Sequence, residues 1–143
     1  SLWKWCRLRG AGQIINLATG SSGVWAGLVD AKAGVLEGAA LYKDGQWAEW
    51  PIPERPATPT REGHVVEAAD GTLWLSSHAS IHALRDGHWQ TVVDGLPDFS
   101  LTTQRMRAGR DSTVWAACSG GLLAIDRTIL RTSSLPATRV LHR

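Results

Sequence analysis

The sequence predicts an all-β protein assembled from repeated units of four short strands, and three observations predict it. First, the 143 residues include eight tryptophans but one tyrosine and one phenylalanine, as a repeated tryptophan-bearing unit would produce. Second, short segments with alternating apolar and polar side chains recur along the chain. Third, turn dipeptides such as Asp-Gly separate these segments, and no stretch longer than about ten residues carries a clean helical period.

Composition and charge exclude several classes of protein. With 43% hydrophobic and 20% charged residues, the chain has the composition of one globular domain rather than of a disordered segment. The net charge is +2 and the basic residues do not cluster, so we expect no nucleic-acid partner. No apolar stretch approaches the roughly 18 residues that span a bilayer, so we expect no membrane segment in this chain. The sequence leaves open whether Cys6 and Cys118 form a disulfide.

The first repeated motif ends in an aliphatic residue followed by tryptophan. Residues 70–74 are D-G-T-L-W and residues 111–115 are D-S-T-V-W, so aspartate lies four residues before each tryptophan. Trp74 and Trp115 are 41 residues apart, and an earlier aliphatic–tryptophan pair ends at Trp25, 49 residues before Trp74. This spacing indicates an internal repeat.

A second motif, D-G-x-W, follows the first in the same order. It occurs at residues 44–47 and again, 42 residues later, at residues 86–89. In the third copy residues 127–130 occupy this place, and the motif has decayed. We attribute the longer first interval to a Gly/Ala-rich loop within residues 28–38. Two motifs that repeat in one order indicate a repeated structural unit rather than two similar hairpins.

The second unit shows the predicted strands most clearly. Residues 65–68 predict a first strand, and residues 72–76 predict a second, because apolar and polar positions alternate there. Residues 80–84 predict a third strand, which ends at an Asp-Gly dipeptide suited to the positive φ of a tight hairpin. Residues 88–93 predict a fourth strand, followed by a connection rich in glycine and proline.

Four strands in about 40–45 residues, each unit with a tryptophan, are typical of a β-propeller blade. A β-sandwich with two similar hairpins is the alternative. We predict three blades, at approximately residues 14–60, 64–103 and 105–137. We also predict partial blades at residues 1–9, as a third or second strand, and at residues 138–143, as a first strand.

The chain is too short for a closed ring of such blades. At about 42 residues per blade it supplies about 3.4 blades, and closed propellers use about four to eight. The sequence therefore predicts a propeller fragment. We expect the rest of the propeller to come from the parent chain or from another copy.

The two motifs together resemble the two-component-regulator propeller repeat. They are carried by residues 65–89, more loosely by residues 106–130, and by residues 14–47 with an insertion. The resemblance implies a ligand-sensing module, without catalysis of its own, of a bacterial two-component or cyclic-di-nucleotide signalling protein. It also implies a location on the periplasmic or extracellular side of a bacterial membrane. Two alternatives remain open: a propeller enzyme similar to streptogramin lyases, and a tryptophan-rich carbohydrate-binding propeller.

Most of the repeated residues are expected to be structural. A tryptophan in every blade is more often packed between blades than bound to a ligand, although an aromatic face also suits a sugar ring. Aspartate and glycine in turns are explained by hydrogen bonds to nearby backbone groups and by positive φ. These structural positions are Trp25, Trp74, Trp115, Trp47, Trp89, Asp70, Gly71, Asp86 and Gly87.

The candidate binding residues lie in loops, because scaffolds place function on their connections. In propellers, the connections before each first strand and after each second strand open on the same side. Their polar side chains are our candidates for contacts with a small molecule or glycan: His78, Arg61, Gln104 and Arg105. No nucleophile motif occurs, and His78 and His82, although four residues apart, lie in a strand–loop–strand region and not on one helix face. We therefore expect no catalytic residue, metal or cofactor.

Overall fold

A computed structural model describes residues 2–8, 12–53, 64–76, 80–94, 106–118, 121–126 and 138–141. These residues contain twelve strands and no helix. The strands are β1 (Gly12–Gly20), β2 (Gly23–Asp30), β3 (Leu36–Lys43), β4 (Gln46–Pro51), β5 (His64–Glu67), β6 (Leu73–Ser76), β7 (Ser80–Arg85), β8 (His88–Asp94), β9 (Met106–Ala108), β10 (Val114–Cys118), β11 (Gly121–Ile125) and β12 (Thr138–Leu141).

The strands form three antiparallel sheets of four strands each, and each sheet follows chain order: β1–β4, β5–β8 and β9–β12. The predicted all-β class with three four-stranded sheets is therefore confirmed. The sheets also share one register. Trp25 pairs with Leu41 and Trp74 pairs with Ala83, so each second-strand tryptophan lies opposite an apolar residue of the third strand.

The two predicted partial blades are not present as predicted. Thr138–Leu141 pairs with β11 as the fourth strand of the third sheet, and does not begin a further blade. The physical reason is that β11 would otherwise present an unpaired edge of backbone N–H and C=O groups. At the other end of the chain, residues 2–8 form no strand, so the assignment of residues 2–5 to a third or second strand is wrong.

The sheets pack face to face in chain order. Strand β1 lies against β5, and β5 lies against β9, so the first strands of the sheets are neighbours. One apolar cluster joins the first and second sheets, where Trp25 packs with Leu73 and Leu75. Another joins the second and third sheets, where Trp74 packs with Val114. The three sheets therefore form an arc of a propeller with the first strands on its inner side.

The turns explain the repeated Asp-Gly pairs. Asp44 and Asp86, which join the third and fourth strands of their sheets, have φ values of 53° and 52°. The glycines that follow them also have positive φ, as a two-residue hairpin turn requires. Between the first and second strands, the Asp70 carboxylate accepts a hydrogen bond from the backbone N–H of Thr72 at 3.0 Å.

A polar contact between sheets reinforces the apolar one. The carboxylate of Glu67, on β5, accepts hydrogen bonds from the Ser22 hydroxyl at 2.6 Å and from the Ser21 hydroxyl at 3.3 Å. Both serines lie in the turn between β1 and β2. Gly20 makes room for this contact, since a Cβ atom there would overlap the Glu67 carboxylate. Glu67 thus ties the second sheet to a hairpin turn of the first.

Substitution Trp74→Ala should lower the free energy of unfolding by about 3–5 kcal/mol, because it empties a large volume between two sheets. Trp74 is 0% exposed and its indole N–H has no hydrogen-bond partner within the described residues, so its contribution is packing. Urea melts give the change. The matched control is Trp3→Ala at a tryptophan that is 71% exposed, and it should cost less than about 1 kcal/mol. Equal losses at the two sites would contradict this packing.

Candidate ligand-binding site

The candidate site lies on the inner strands of the arc, near the rim where β5 begins and β6 ends. His64 begins β5 and Ser76 ends β6, and the two residues pair across the sheet. The backbone N–H of His64 also donates a hydrogen bond to the Ser76 hydroxyl at 3.1 Å. The strand ends are therefore fixed next to the connections at residues 54–63 and 77–79, which lie outside the described residues.

Two polar side chains from neighbouring sheets meet on the inner strands, one from the middle of β1 and one from the start of β5. The side-chain amide nitrogen of Asn16, on β1, lies 3.4 Å from His64 Nδ1. The two groups are within hydrogen-bond distance, and the tautomer of the imidazole sets which of them donates. Both side chains are half-buried. The pair therefore presents amide and imidazole groups on the inner side of the arc, where a ligand could contact both sheets.

Asn16 and His64 occupy the same position in the repeat. Asn16 pairs with Gly27, two residues after Trp25, and His64 pairs with Ser76, two residues after Trp74. In the third repeat Met106 pairs with Ala116, so Arg105 holds the corresponding place in the sequence. Each repeat thus has one side chain with hydrogen-bonding groups at this position: asparagine, histidine or arginine.

The four ligand-binding residues predicted from the sequence, His78, Arg61, Gln104 and Arg105, lie outside the described residues. Their role stays a prediction. The Asn16–His64 pair was not predicted as a site. The equivalent positions of Asn16 and His64 in the repeat could have identified the pair from the sequence. A β-bulge between Ile14 and Asn16 shifts the register by one residue and hides this equivalence.

A buried chain of polar side chains lies on the second sheet. The Ser80 hydroxyl is 2.9 Å from His82 Nε2, and His82 Nδ1 is 3.0 Å from the Thr91 hydroxyl. Ser80 and His82 are each 3% exposed. A serine bonded to a histidine resembles a nucleophile and its base, but a substrate could not reach this serine through the packed sheet. The chain of hydrogen bonds therefore orients β7 and β8 within the sheet.

The tryptophans of the D-G-x-W motif use their indole N–H groups within the protein. Trp89 donates to the backbone carbonyl of Trp50 at 3.1 Å, from the second sheet to the first. Trp47 donates to the backbone carbonyl of Cys6 at 3.1 Å, and its ring lies 5.1 Å from that of Tyr42. Both tryptophans are half-buried, so they act as packing elements at the outer strands.

Trp50 was not singled out from the sequence, although its ring lies 5.4 Å from that of Trp25. Cys6 is a free thiol. A hydrogen bond with the Cys6 side chain raises the pKa of the Tyr42 hydroxyl. These contacts hold residues 2–8 against the outer strands of the first sheet.

The expected absence of a metal site and of a membrane segment can be compared with the structure only within the described residues. Within the ranges that the structure describes, no three His, Cys, Asp or Glu side chains are grouped closely enough to hold a metal ion. Across those same ranges, no helix has the length and apolar character needed to cross a membrane. The loops at the candidate site are outside these ranges, so the expectation of no metal stays a prediction.

The chain resembles a known propeller in structure. No protein-family model and no curated protein matches it. Among solved structures, virginiamycin B lyase from Staphylococcus aureus superposes with a TM-score of 0.61 at 15% sequence identity. The match covers 90% of this chain and 40% of the lyase chain, so this chain spans two-fifths of that protein. At this identity the likeness shows the propeller fold alone.

Substitution Ser80→Ala should cost about 1–3 kcal/mol of unfolding free energy, because it removes a hydrogen bond to His82 where water has little access. Thr91→Ala removes the bond to the other ring nitrogen, but Thr91 is exposed and water can replace its hydroxyl. That variant should lose less than about 1 kcal/mol. Urea melts of the two variants give the difference, and a larger loss for Thr91→Ala would contradict the assigned burial.

Proposed function

We propose that this chain is a non-catalytic ligand-binding module of a β-propeller. Its ligand, a small molecule or glycan, binds on the inner strands of the arc, beside Asn16 and His64. The observation that carries the proposal is the 3.4 Å contact between these two side chains, which come from different sheets. Half-buried polar groups that converge from separate elements are a common feature of small-molecule sites.

The chemistry of the pair suits a ligand rich in hydroxyl or carboxylate groups. An asparagine amide has both donor and acceptor groups, and each nitrogen of a histidine ring can donate or accept. Sugars and small organic acids supply the complementary groups. The predicted loop residues Arg61 and Arg105 would add guanidinium groups, which favour an acidic ligand.

The sensing role rests on the sequence motifs. The D-G-x-L-W and D-G-x-W repeats support placement in a bacterial two-component or cyclic-di-nucleotide signalling protein, on the periplasmic or extracellular side of a membrane. In such a protein the module would pass ligand occupancy to an output domain on another part of the polypeptide.

Binding can be tested with a thermal-shift screen of monosaccharides, oligosaccharides, amino acids and small carboxylic acids. A compound at about 100 times its Kd should stabilise the protein by about 2.7 kcal/mol and raise its Tm. The same compound should leave the Tm of Asn16→Ala and His64→Ala unchanged, because each variant loses one side of the site.

The matched control is His88→Ala, because His88 is exposed and lies directly after the turn between β7 and β8, at the end of the second sheet opposite to His64. This variant should respond to the compound as the unmodified chain does. A compound that stabilises the His64 and Asn16 variants as strongly as the unmodified chain would place its binding elsewhere and contradict the proposed site.

The second candidate function is a lyase, which the likeness to virginiamycin B lyase favours. Incubation of the chain with virginiamycin B, followed by mass spectrometry of the antibiotic, separates the two candidates. The binding-module proposal predicts unchanged virginiamycin B. Conversion of virginiamycin B that is lost in His64→Ala would contradict the binding-module proposal and indicate an enzyme at the same site.

A further inference from the structure

The first and second sheets are joined near their inner strands by a polar contact. The Glu67 carboxylate on β5 accepts hydrogen bonds from the hydroxyls of Ser22 and Ser21, at 2.6 Å and 3.3 Å, in the turn that follows β1. Gly20 leaves the space that this carboxylate fills, because a Cβ atom there would overlap it. The inner contact therefore needs three features together: a carboxylate on the later sheet, serine hydroxyls in the turn of the earlier sheet, and a glycine before them.

The same place between the second and third sheets is apolar. Ala108 occupies the repeat position of Glu67, since each pairs with the residue directly before a second-strand tryptophan. Ala68, directly after Glu67, occupies the position of Gly20, and the turn that it begins contains no serine. Both alanines pack instead in the apolar cluster that joins the two sheets. None of the three features of the inner contact is repeated here.

A second polar contact joins the outer strands of the first two sheets. The Trp89 indole N–H on β8 donates a hydrogen bond to the backbone carbonyl of Trp50 on β4, at 3.1 Å. Trp89 belongs to the D-G-x-W motif, which has decayed in the third repeat, and the sequence contains no tryptophan after Trp115. The outer strand of the third sheet, β12, therefore has no indole N–H to donate to the second sheet.

The third sheet is also built from shorter strands than the first. Strands β1, β2 and β3 contain 9, 8 and 8 residues, whereas β9, β10 and β11 contain 3, 5 and 5. Each of these two sheets has one neighbour among the described sheets, so the two can be compared directly. The second sheet holds the first by apolar packing and two polar contacts, and the third sheet lacks the counterparts of both polar contacts.

Apolar and polar contacts restrict the motion of packed sheets differently. Apolar packing is non-directional and allows small sliding and tilting of one packed element on another. A hydrogen bond weakens steeply when its length or angle changes. Two such contacts, one near the inner strands and one at the outer strands, therefore oppose both sliding and tilting. The first two sheets are fixed to each other more firmly than the second sheet is fixed to the third.

We propose that the interface between the second and third sheets is a hinge. The first and second sheets move as one rigid unit, and the third sheet tilts on that unit and separates from it as a whole. The surface that opens is the apolar cluster in which Trp74 packs with Val114. The position of the hinge is set by the repeat in which the glutamate, the serines and the D-G-x-W tryptophan have no counterpart.

The hinge lies between two parts of the proposed ligand site. Asn16 and His64 both belong to the rigid unit and meet across its two sheets. Arg105, at the corresponding place in the third repeat, directly precedes β9. A ligand that contacts Arg105 together with the Asn16–His64 pair would hold the hinge closed. This coupling rests on the proposed function, whereas the hinge itself does not.

Native-state amide hydrogen exchange at low urea concentrations tests the hinge without a ligand. Because β10 and β11 open with the third sheet, they should exchange at least about tenfold faster than β2 and β3 of the first sheet, after correction for intrinsic rates. The double variant Glu67→Ala, Trp89→Phe removes both polar contacts. It should speed exchange in β2 and β3 by at least about tenfold and leave exchange in β10 and β11 unchanged.

The matched control is the double variant Glu49→Ala, Trp47→Phe. Glu49 is an exposed carboxylate on β4, and the Trp47 indole bonds to Cys6 instead of joining the first and second sheets. This control should change exchange in β2 and β3 by less than about threefold.

Two results would overturn the hinge. One is a ratio below about tenfold between the third and first sheets of the unmodified chain. The other is a rise below about tenfold in β2 and β3 of the double variant, since the two polar contacts then do not fix the first sheet. Circular dichroism shows whether the double variant folds. If it does not, Trp89→Phe alone takes its place, with an expected rise of about fivefold in β2 and β3 and the same reading of a smaller rise.

Discussion

The fold depends on the packing of Trp25 and Trp74, the second-strand tryptophans of the first two sheets, against the sheet that follows each of them. A four-stranded sheet with two apolar faces cannot cover both by itself, so it is stable only between neighbours. Trp25 and Trp74 are 5% and 0% exposed, and neither indole N–H has a hydrogen-bond partner within the described residues. Their rings therefore stabilise the arc by filling the space between sheets. Leu17 of the first sheet and Leu122 of the third sheet lie on faces that no other described sheet covers, and both side chains are exposed.

The candidate site follows from this packing. Because the sheets stack with their first strands side by side, Asn16 of one sheet reaches His64 of the next. Neither sheet alone would present both groups. At the other end of the same strands, Glu67 bonds to Ser22 and fixes the distance between the sheets. A ligand at the site would therefore contact two elements whose relative position is already set.

Local patterns predicted most of the fold, and long-range contacts account for what they missed. Alternation and Asp-Gly turns are local, so the strands of the second sheet were predictable from residues 64–94, and the repeat from the motifs that recur at residues 44–47 and 111–115. The place of residues 2–8 depends on a hydrogen bond between Trp47 and Cys6, 41 residues apart. β12 lacks the D-G-x-W motif, and a β-bulge near Asn16 hides the equivalence of Asn16 and His64. Nothing local reveals these three features.

Amide hydrogen exchange, measured by mass spectrometry, tests the stacked arrangement most directly. Only the second of the three described sheets has a neighbour on both faces, so its strands β6 and β7 should exchange most slowly. Strands β1 and β11, each in a sheet with one open face, should exchange faster. Exchange in β6 and β7 as fast as in β1 and β11 would contradict an arc of sheets packed through their tryptophans.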